Sequence, residues 1–515
     1  MSKQTTPPSE RYDEELPGDP DPATTAAPHP RRWWILLVLC LSLLVLVVDN
    51  TVLNLAIPSL MRDLGASPSD VQWVIDAYVL VFAGLLLTSG GLSDRFGRRR
   101  MLVIGLTVFG AASLLATLAQ EPWHLVAGRA LMGVGGALVM PSTLSILITV
   151  FDESERRKAI AAWSAVAMVG VIAGPMLGGF LLDNYYWGSV FLINVPIAVV
   201  AVIAAITLMP ESKGPARGLD PVGVLLSITG MTALVWVIVN GPVHGWTANG
   251  VPVAAVVAAV ALVAFVWWEA RVPQPMVPLG LFRNRSFSGA CFSVVLLSFG
   301  AGALLLALTQ YLQFVLGYDV LTAGLALLPY AVAAALFNAV GAGLGQRVSN
   351  RTLIVVGLAI MAGAFAMLAT LEVSDGYGTL ITALLIMGVG GGLAGPAAYT
   401  TLMGAVPPEH AGVGSALNDT VQQVGLALSI AVLGSVLAGV YTASMPPSAP
   451  AAARASIAQG VATGDAALAR AAKSAFLEAM SVGAYVGIGF TLAAAVVALA
   501  VLRAPSTPIS PDKTT

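Results

Sequence analysis

The sequence predicts an all-α integral membrane protein of fourteen transmembrane helices, arranged as two six-helix bundles with two extra linking helices between them. Three observations carry that prediction. Of 515 residues, 57% are hydrophobic and only 10% charged, which excludes an ordinary water-soluble domain of this length. Apolar stretches of roughly 20 residues, enough to cross about 30 Å of hydrocarbon, recur along the whole chain. The two halves of the chain also repeat each other.

In chain order, the first six apolar stretches begin near Trp33, Val71, Met101, His124, Arg157 and Gly188 and define a first bundle, residues 31–212. Two more begin near Asp220 and Val251 and form a linking segment, 213–284. The last six begin near Phe287, Val320, Thr352, Tyr377, His410 and Met480 and make a second bundle, 285–505. Its last two helices are joined by a long connection, 441–479, whose alanine-rich end predicts a short interfacial helix.

The duplication is direct. "MGVGGALVMP" at 132–141 recurs as "MGVGGGLAGP" at 387–396, an offset of 255, and "GLSDRFGRR" at 91–99 has a degraded partner, "GLGQRVSNR", at 343–351, an offset of 252. A repeat of that length covers eight helices, so six-helix halves must be separated by an additional pair. Duplicated halves meeting at a midplane site are how secondary transporters are built.

An even number of spans leaves both termini on one side. Twenty of the 25 lysines and arginines fall on that side, against Arg62, Arg454, Arg470 and Lys473 opposite, with Arg129 inside a span. The excess makes the tail side, with both termini, cytoplasmic, and the outer loop 441–479 extracellular. Residues 1–30 are polar, acidic and proline-rich, unlike a cleavable leader, and read as a disordered tail; 506–515 form a second, shorter one.

A net charge of −2 without a long basic run gives no reason to expect nucleic acid as partner. Cys40 and Cys291 lie in separate apolar stretches and suggest no disulfide framework. There is no HExxH and no phosphate-binding lysine loop, and the four histidines are scattered over the tail and loops. The expectation is therefore a non-enzyme with no metal site and no cofactor, driven by an ion gradient rather than ATP.

Four motifs organise the membrane part. "GGLSDRFGRRR", 90–100, makes a tight turn between the second and third helices, its glycines permitting close backbone approach and Asp94 clustering with the arginines. "GRALMGVGGALVMP", 128–141, puts Arg129 inside the fourth helix, where a lone cation is costly and must face protein or water. "GVIAGPMLGGF", 170–180, sets Gly170, Gly174 and Gly178 on one face of the fifth helix for close packing, with Pro175 removing a backbone donor and bending the helix. In "LDNYYWGSVFLINVPI", 182–197, Trp187, Asn194 and Pro196 read as scaffold.

These motifs resemble signatures of the major facilitator superfamily, and the fourteen-helix plan is similar to that of its drug:proton antiporter group, over about residues 33–503. The resemblance implies the major facilitator fold. It implies that Gly91, Asp94, Arg95, Gly97 and Arg98 hold the cytoplasmic side closed, Asp94 against charged groups and a helix end of the other half. It gives Arg129 a part in proton coupling, the bland alternative being an arginine that only ties up backbone carbonyls. Gly174, Pro175, Gly178 and Gly179 resemble the antiporter motif of exporters, generally missing from importers.

Three carboxylates lie within the spans. Asp49, in "DNTVLNLAIP", sits about 12 Å below the outer end of the first helix, and Asp76 enters the second helix from the same side. Asp419 lies in the thirteenth helix, nearer midplane. A carboxylate withdrawn from water can take a proton and lose it when water or a cation arrives, which proton-coupled cation export requires. The structural alternative for Asp49 is a hydrogen bond to backbone or Asn54. In the superfamily fold the second and thirteenth helices pack together, so Asp76 and Asp419 are expected to face one cavity.

Gln310 and Gln313 at the end of the ninth helix, with Asn418 and Gln422 beside Asp419, offer neutral hydrogen bonds, and Tyr78 offers an aromatic face for cations. The reading is a monomeric, proton-coupled antiporter in the bacterial plasma membrane, its partners protons, lipid and small hydrophobic, cationic drugs or dyes; such a protein confers antibiotic resistance. Alternatives are a dedicated exporter of one metabolite or self-made antibiotic and, from another class, a transport-inactive membrane sensor or scaffold.

Overall fold

The computed structural model describes residues 30–214, 220–247, 250–273, 275–345, 347–372 and 375–502, and leaves a few helical side chains undescribed, those of Asn54 and Pro175 among them. The expected tails therefore lie outside the described residues, apart from Pro30.

The first bundle comprises α1 (Arg32–Asp63), α2 (Pro68–Phe96), α3 (Arg98–Thr117), α4 (Pro122–Val150), α5 (Glu153–Asn184) and α6 (Ser189–Leu208). The linking pair is α7 (Pro221–His244) and α8 (Val251–Glu269). The second bundle comprises α9 (Arg285–Gln310), α10 (Val320–Ala326 continuing as Leu328–Leu344), α11 (Asn350–Leu368), α12 (Tyr377–Gly404), α13 (Ala411–Ser444) and α14 (Ala466–Val501). Among the described residues thirteen helices are long and apolar enough to cross a membrane, and α9, apolar over Arg285–Gly300, supplies the fourteenth.

Polar residues just outside the apolar runs set where the helices begin. Ser67 accepts from the Asp70 amide while Asp70 accepts from that of Ser67, and Pro68 fills the first helical position, where its missing N–H costs nothing. Asp152, Asp220, Asp319, Ser349 and Asp465 cap α5, α7, α10, α11 and α14 in the same way.

Thirteen helices start within four residues of the expected positions, and the last does not. α13 runs on to Ser444 and α14 begins at Ala466, not near Met480, so the connection expected over 441–479 is confined to 445–465. It contains two short helices, Ala451–Ala455 and Ile457–Ala462, tied back by the Tyr441 hydroxyl donating to the Ala453 carbonyl at 2.8 Å. The alanine-rich run is no separate interfacial helix. It forms the first turns of α14, where Lys473 donates to the Val315 carbonyl at 2.8 Å.

Packing repeats with the sequence. In the first bundle the dominant contacts are α2 with α4, α3 with α4 and α1 with α5; in the second they are α10 with α12, α11 with α12 and α9 with α13, each helix shifted by eight. The repeat extends to single glycines. A Cβ on Gly135 would lie 2.8 Å from the Gly105 carbonyl oxygen, and one on Gly390 would lie 2.5 Å from that of Gly357, so both α3–α4 and α11–α12 approach backbone to backbone.

The bundles meet through α2 against α13 and α5 against α10, again related by the repeat. α7 packs on both α2 and α13, and α8 on α7.

Candidate functional site

At the end of the molecule that carries the α2–α3 turn, Asp94 crosses from one bundle to the other. Its Oδ1 accepts from the Gly412 amide at 2.9 Å and its Oδ2 from the Val413 amide at 3.0 Å, so the carboxylate sits on the first turn of α13. Free amides and the helix dipole make that turn an anion site. Arg98 completes the contact, its Nη2 donating to Asp94 Oδ1 at 2.7 Å and to the Pro408 carbonyl at 2.9 Å. Gly90, one turn before Asp94, allows the approach, since a Cβ there would lie 2.4 Å from that of Ala416. Gly97 makes the turn with φ +117°, a conformation costly for any other residue. Arg95 instead lies over the Phe96 ring, and Gly91 meets Met276 from the α8–α9 connection.

Deep in the first bundle, Arg129 and Asp49 form a buried ion pair, 1% and 2% exposed, with Nη1 and Oδ2 2.5 Å apart. Arg129 also reaches Asn50 Oδ1 and the Val74 carbonyl, each at 3.4 Å, and lies 4.2 Å over the Tyr78 ring. Asn194 donates to Asp49 Oδ1 at 2.8 Å and to Ser113 at 3.1 Å. Arg129 is thus no lone cation, and among the described residues the partners of Asp49 are the Arg129 and Asn194 side chains. Asn194, expected to be scaffold, is a ligand of the buried carboxylate.

A cavity of about 390 Å³ lies between the bundles, walled by α1, α4 and α5 on one side and by α9 to α13 on the other. Its wall is apolar and aromatic, with Trp163, Tyr330 and Tyr399 among the rings and Ser164, Asn338 and Gln422 among the polar groups. From Tyr399 a chain of hydrogen bonds leads behind the wall. The Tyr399 hydroxyl donates to Gln422 Oε1 at 3.2 Å, Gln422 Nε2 to the Asn418 carbonyl at 3.4 Å, and Asn418 Nδ2 to Asp419 Oδ1 at 3.1 Å. Asp419 is 2% exposed, and its Oδ2 has no hydrogen-bond partner among the described residues.

The structure does not bring all the expected residues to this cavity. Of Asp76, Tyr78, Gln310, Gln313, Asn418 and Gln422, only Gln422 is in the wall. Tyr78 is occupied by Arg129, and the Asn54 side chain is outside the described residues. Asp76 and Asp419 do not face each other. Asp76 lies 18 residues from Asp94 along α2, about 27 Å, whereas Asp419 lies only seven past Gly412 along the opposed α13, about 10 Å.

In the glycine motif, Gly170 and Gly174 face α1. A Cβ on Gly170 would lie 2.9 Å from Val47 Cγ1, and one on Gly174 only 2.8 Å from Thr51 Cβ. Gly178 is buried, Gly179 has open space where a Cβ would go, and α5 is continuous through position 175. Tyr330 was reachable from the sequence through the repeat, being 252 residues from Tyr78. Tyr399 and Asn338 carry no such signal.

Comparison with known proteins identifies the family and the fold. The family model described as Major Facilitator Superfamily matches residues 39–430. The multidrug efflux pump LfrA of Mycolicibacterium smegmatis is 36% identical over 429 residues, covering 82% of this chain and 84% of its own. The puromycin resistance protein pur8 of Streptomyces alboniger is 38% identical over 428 residues, covering 82% and 85%. The tetracenomycin C resistance and export protein of Streptomyces glaucescens is 32% identical over 412 residues, covering 79% and 76%. The crystal structure of the human organic anion transporter MFSD10 (TETRAN) matches with a TM-score of 0.60 at 14% identity, over 90% of this chain and all of that one, which shows the shared fold. The chain belongs to the major facilitator superfamily and is a multi-pass plasma-membrane protein.

Proposed function

We propose that this protein is a proton-coupled antiporter that exports hydrophobic, cationic drugs or dyes by alternating access, with the Asp94 end cytoplasmic. The observation that carries the reading is Asp419, a buried carboxylate joined to the aromatic cavity wall through Asn418, Gln422 and Tyr399. A proton on Asp419 and a cation in the cavity compete for the same negative charge, so binding of one favours release of the other. The rings of Trp163, Tyr330 and Tyr399 suit flat, aromatic, positively charged molecules. The Asp49–Arg129 pair stands as a second proton-sensitive element, and the glycine face of α5 on α1 as a rigid seam that moves as one body. No cofactor enters this scheme.

The multidrug efflux pump among the relatives supports a broad substrate range. Relatives named for puromycin and tetracenomycin C support a narrower form of the same function, export of one such metabolite. Dye efflux measured in membrane vesicles tests the proposal: it should stop when an imposed proton gradient is collapsed. Efflux that continues unchanged without the gradient rules it out.

A further inference from the structure

The linking pair α7–α8 has no counterpart in the duplicated halves, yet the described parts of both connections that join it to the bundles reach the α2–α3 end, residues 209–214 at Asp94 and Met276 at Gly91. The chain leaving α6 runs as a strap, 209–214, along the α2–α3 turn. Two backbone hydrogen bonds hold it there, Arg98 N to Ser212 O at 2.9 Å and Gly214 N to Asp94 O at 2.8 Å. Glu211 adds side-chain contacts. Its Oε1 accepts from the Arg99 amide at 3.1 Å and the Ser212 amide at 3.2 Å, and its Oε2 lies 3.7 Å from both Arg99 and Arg100 Nε.

The strap ends in a wedge. A Cβ on Gly214 would lie 3.0 Å from Asp94 Cβ in the first bundle and 2.3 Å from the Glu409 carbonyl oxygen in the second. That oxygen is fixed backbone, so no side chain fits while the bundles are closed at this end. The other connection arrives from α8. Buried Glu269 accepts from the Val277 amide at 2.9 Å, and neighbouring Met276 packs on Gly91. α7 itself packs on α2 and α13, the two helices that Asp94 joins, with Gln72 donating to Asn240 at 3.3 Å farther along.

We propose that the linking pair is the third member of this gate: closure requires the strap 209–214 to lie between Asp94 and Glu409, and Gly214 is the positioning residue that sets how closely the two bundles meet. The inference rests on the gating part of the function above but not on substrate or proton coupling.

Accessibility of α13 behind the gate tests it. Ser415, three residues past Gly412, is fully buried. In full-length protein with Cys40 and Cys291 replaced by alanine, Ser415→Cys is labelled with a water-soluble maleimide in open membrane fragments. Gly214→Val should raise the labelling rate about fivefold or more, and Gly404→Val, where a Cβ meets nothing within 4 Å, should leave it within about twofold. Gly214→Ala serves if the valine variant fails to fold, because the Glu409 oxygen already excludes a single methyl group. Labelling that rises in Asp94→Asn but not in either Gly214 variant overturns the strap while leaving the gate standing. Unchanged labelling in all of these variants overturns both.

Discussion

Tyr78 and Tyr330 hold equivalent places in the two halves, each with its carbonyl oxygen against a glycine of the neighbouring helix, Gly133 and Gly388, yet only Tyr330 opens on the cavity. Tyr78 is covered by the Arg129 guanidinium. The position corresponding to Arg129 in the second half is Leu384, so duplication supplied the aromatic ring twice and the cation once.

Tyr330→Ala should therefore change which compounds are exported, weakening aromatic cations about fivefold while leaving small aliphatic ones nearly unchanged, in line with about 1 kcal/mol for a cation–ring contact. Tyr78→Ala should lower export of every compound alike and reduce thermal stability. Growth inhibition across a drug panel, with melting of the purified protein in detergent, separates the two outcomes.

Removing one partner of a buried ion pair leaves an uncompensated charge, at a cost of about 3–5 kcal/mol. Arg129→Ala should be poorly folded, whereas Asp49→Asn combined with Arg129→Gln should recover much of the stability and none of the proton-driven efflux. Melting curves and efflux on the same preparations check this. A double variant less stable than Arg129→Ala would contradict the pairing.

At the α1–α5 seam, Gly174→Ala overpacks Thr51, and such strain typically costs about 1–3 kcal/mol. Export should fall with little loss of expression, and adding Thr51→Ala should restore part of it. No restoration would place the effect of Gly174 somewhere other than this contact.

Asp419→Asn keeps shape and hydrogen bonding while deleting the charge beside the cavity wall. Export of monovalent cationic dyes should drop at least about tenfold, since loss of a close charge partner is worth more than about 1.4 kcal/mol. Asp76→Asn, outside the wall, should reduce monovalent and divalent cations by similar factors. A loss confined to divalent cations in Asp76→Asn would return Asp76 to the binding site.

The helix plan was legible because each span needs its own continuous apolar run, and several starts also carry a polar cap, as at Ser67 and Asp152. It failed where those signals conflict. Arg470, Lys473 and Glu478 dilute the hydropathy of the first turns of α14, and only the fold reveals that Lys473 is satisfied by the Val315 carbonyl. Individual motif residues were equally legible, but their pairings were not. Asp49 and Arg129 are 80 positions apart and Asp49 and Asn194 are 145 apart, contacts that helix periodicity cannot encode. The packing of α2 on α13 was legible, but it does not set Asp76 and Asp419 opposite each other, since each lies at its own depth along its helix.

The grip on Asp94 by the Gly412 and Val413 amides also bears on how this protein tolerates change. Main-chain donors are present whatever amino acid the codons specify, proline excepted. Drift at Val413 therefore leaves the chemistry of the contact intact, whereas Gly412 must stay glycine, since a Cβ there would lie 2.6 Å from Asp94 Oδ1; the genetic burden of keeping the halves together falls on Asp94, Arg98 and the glycines that let them approach.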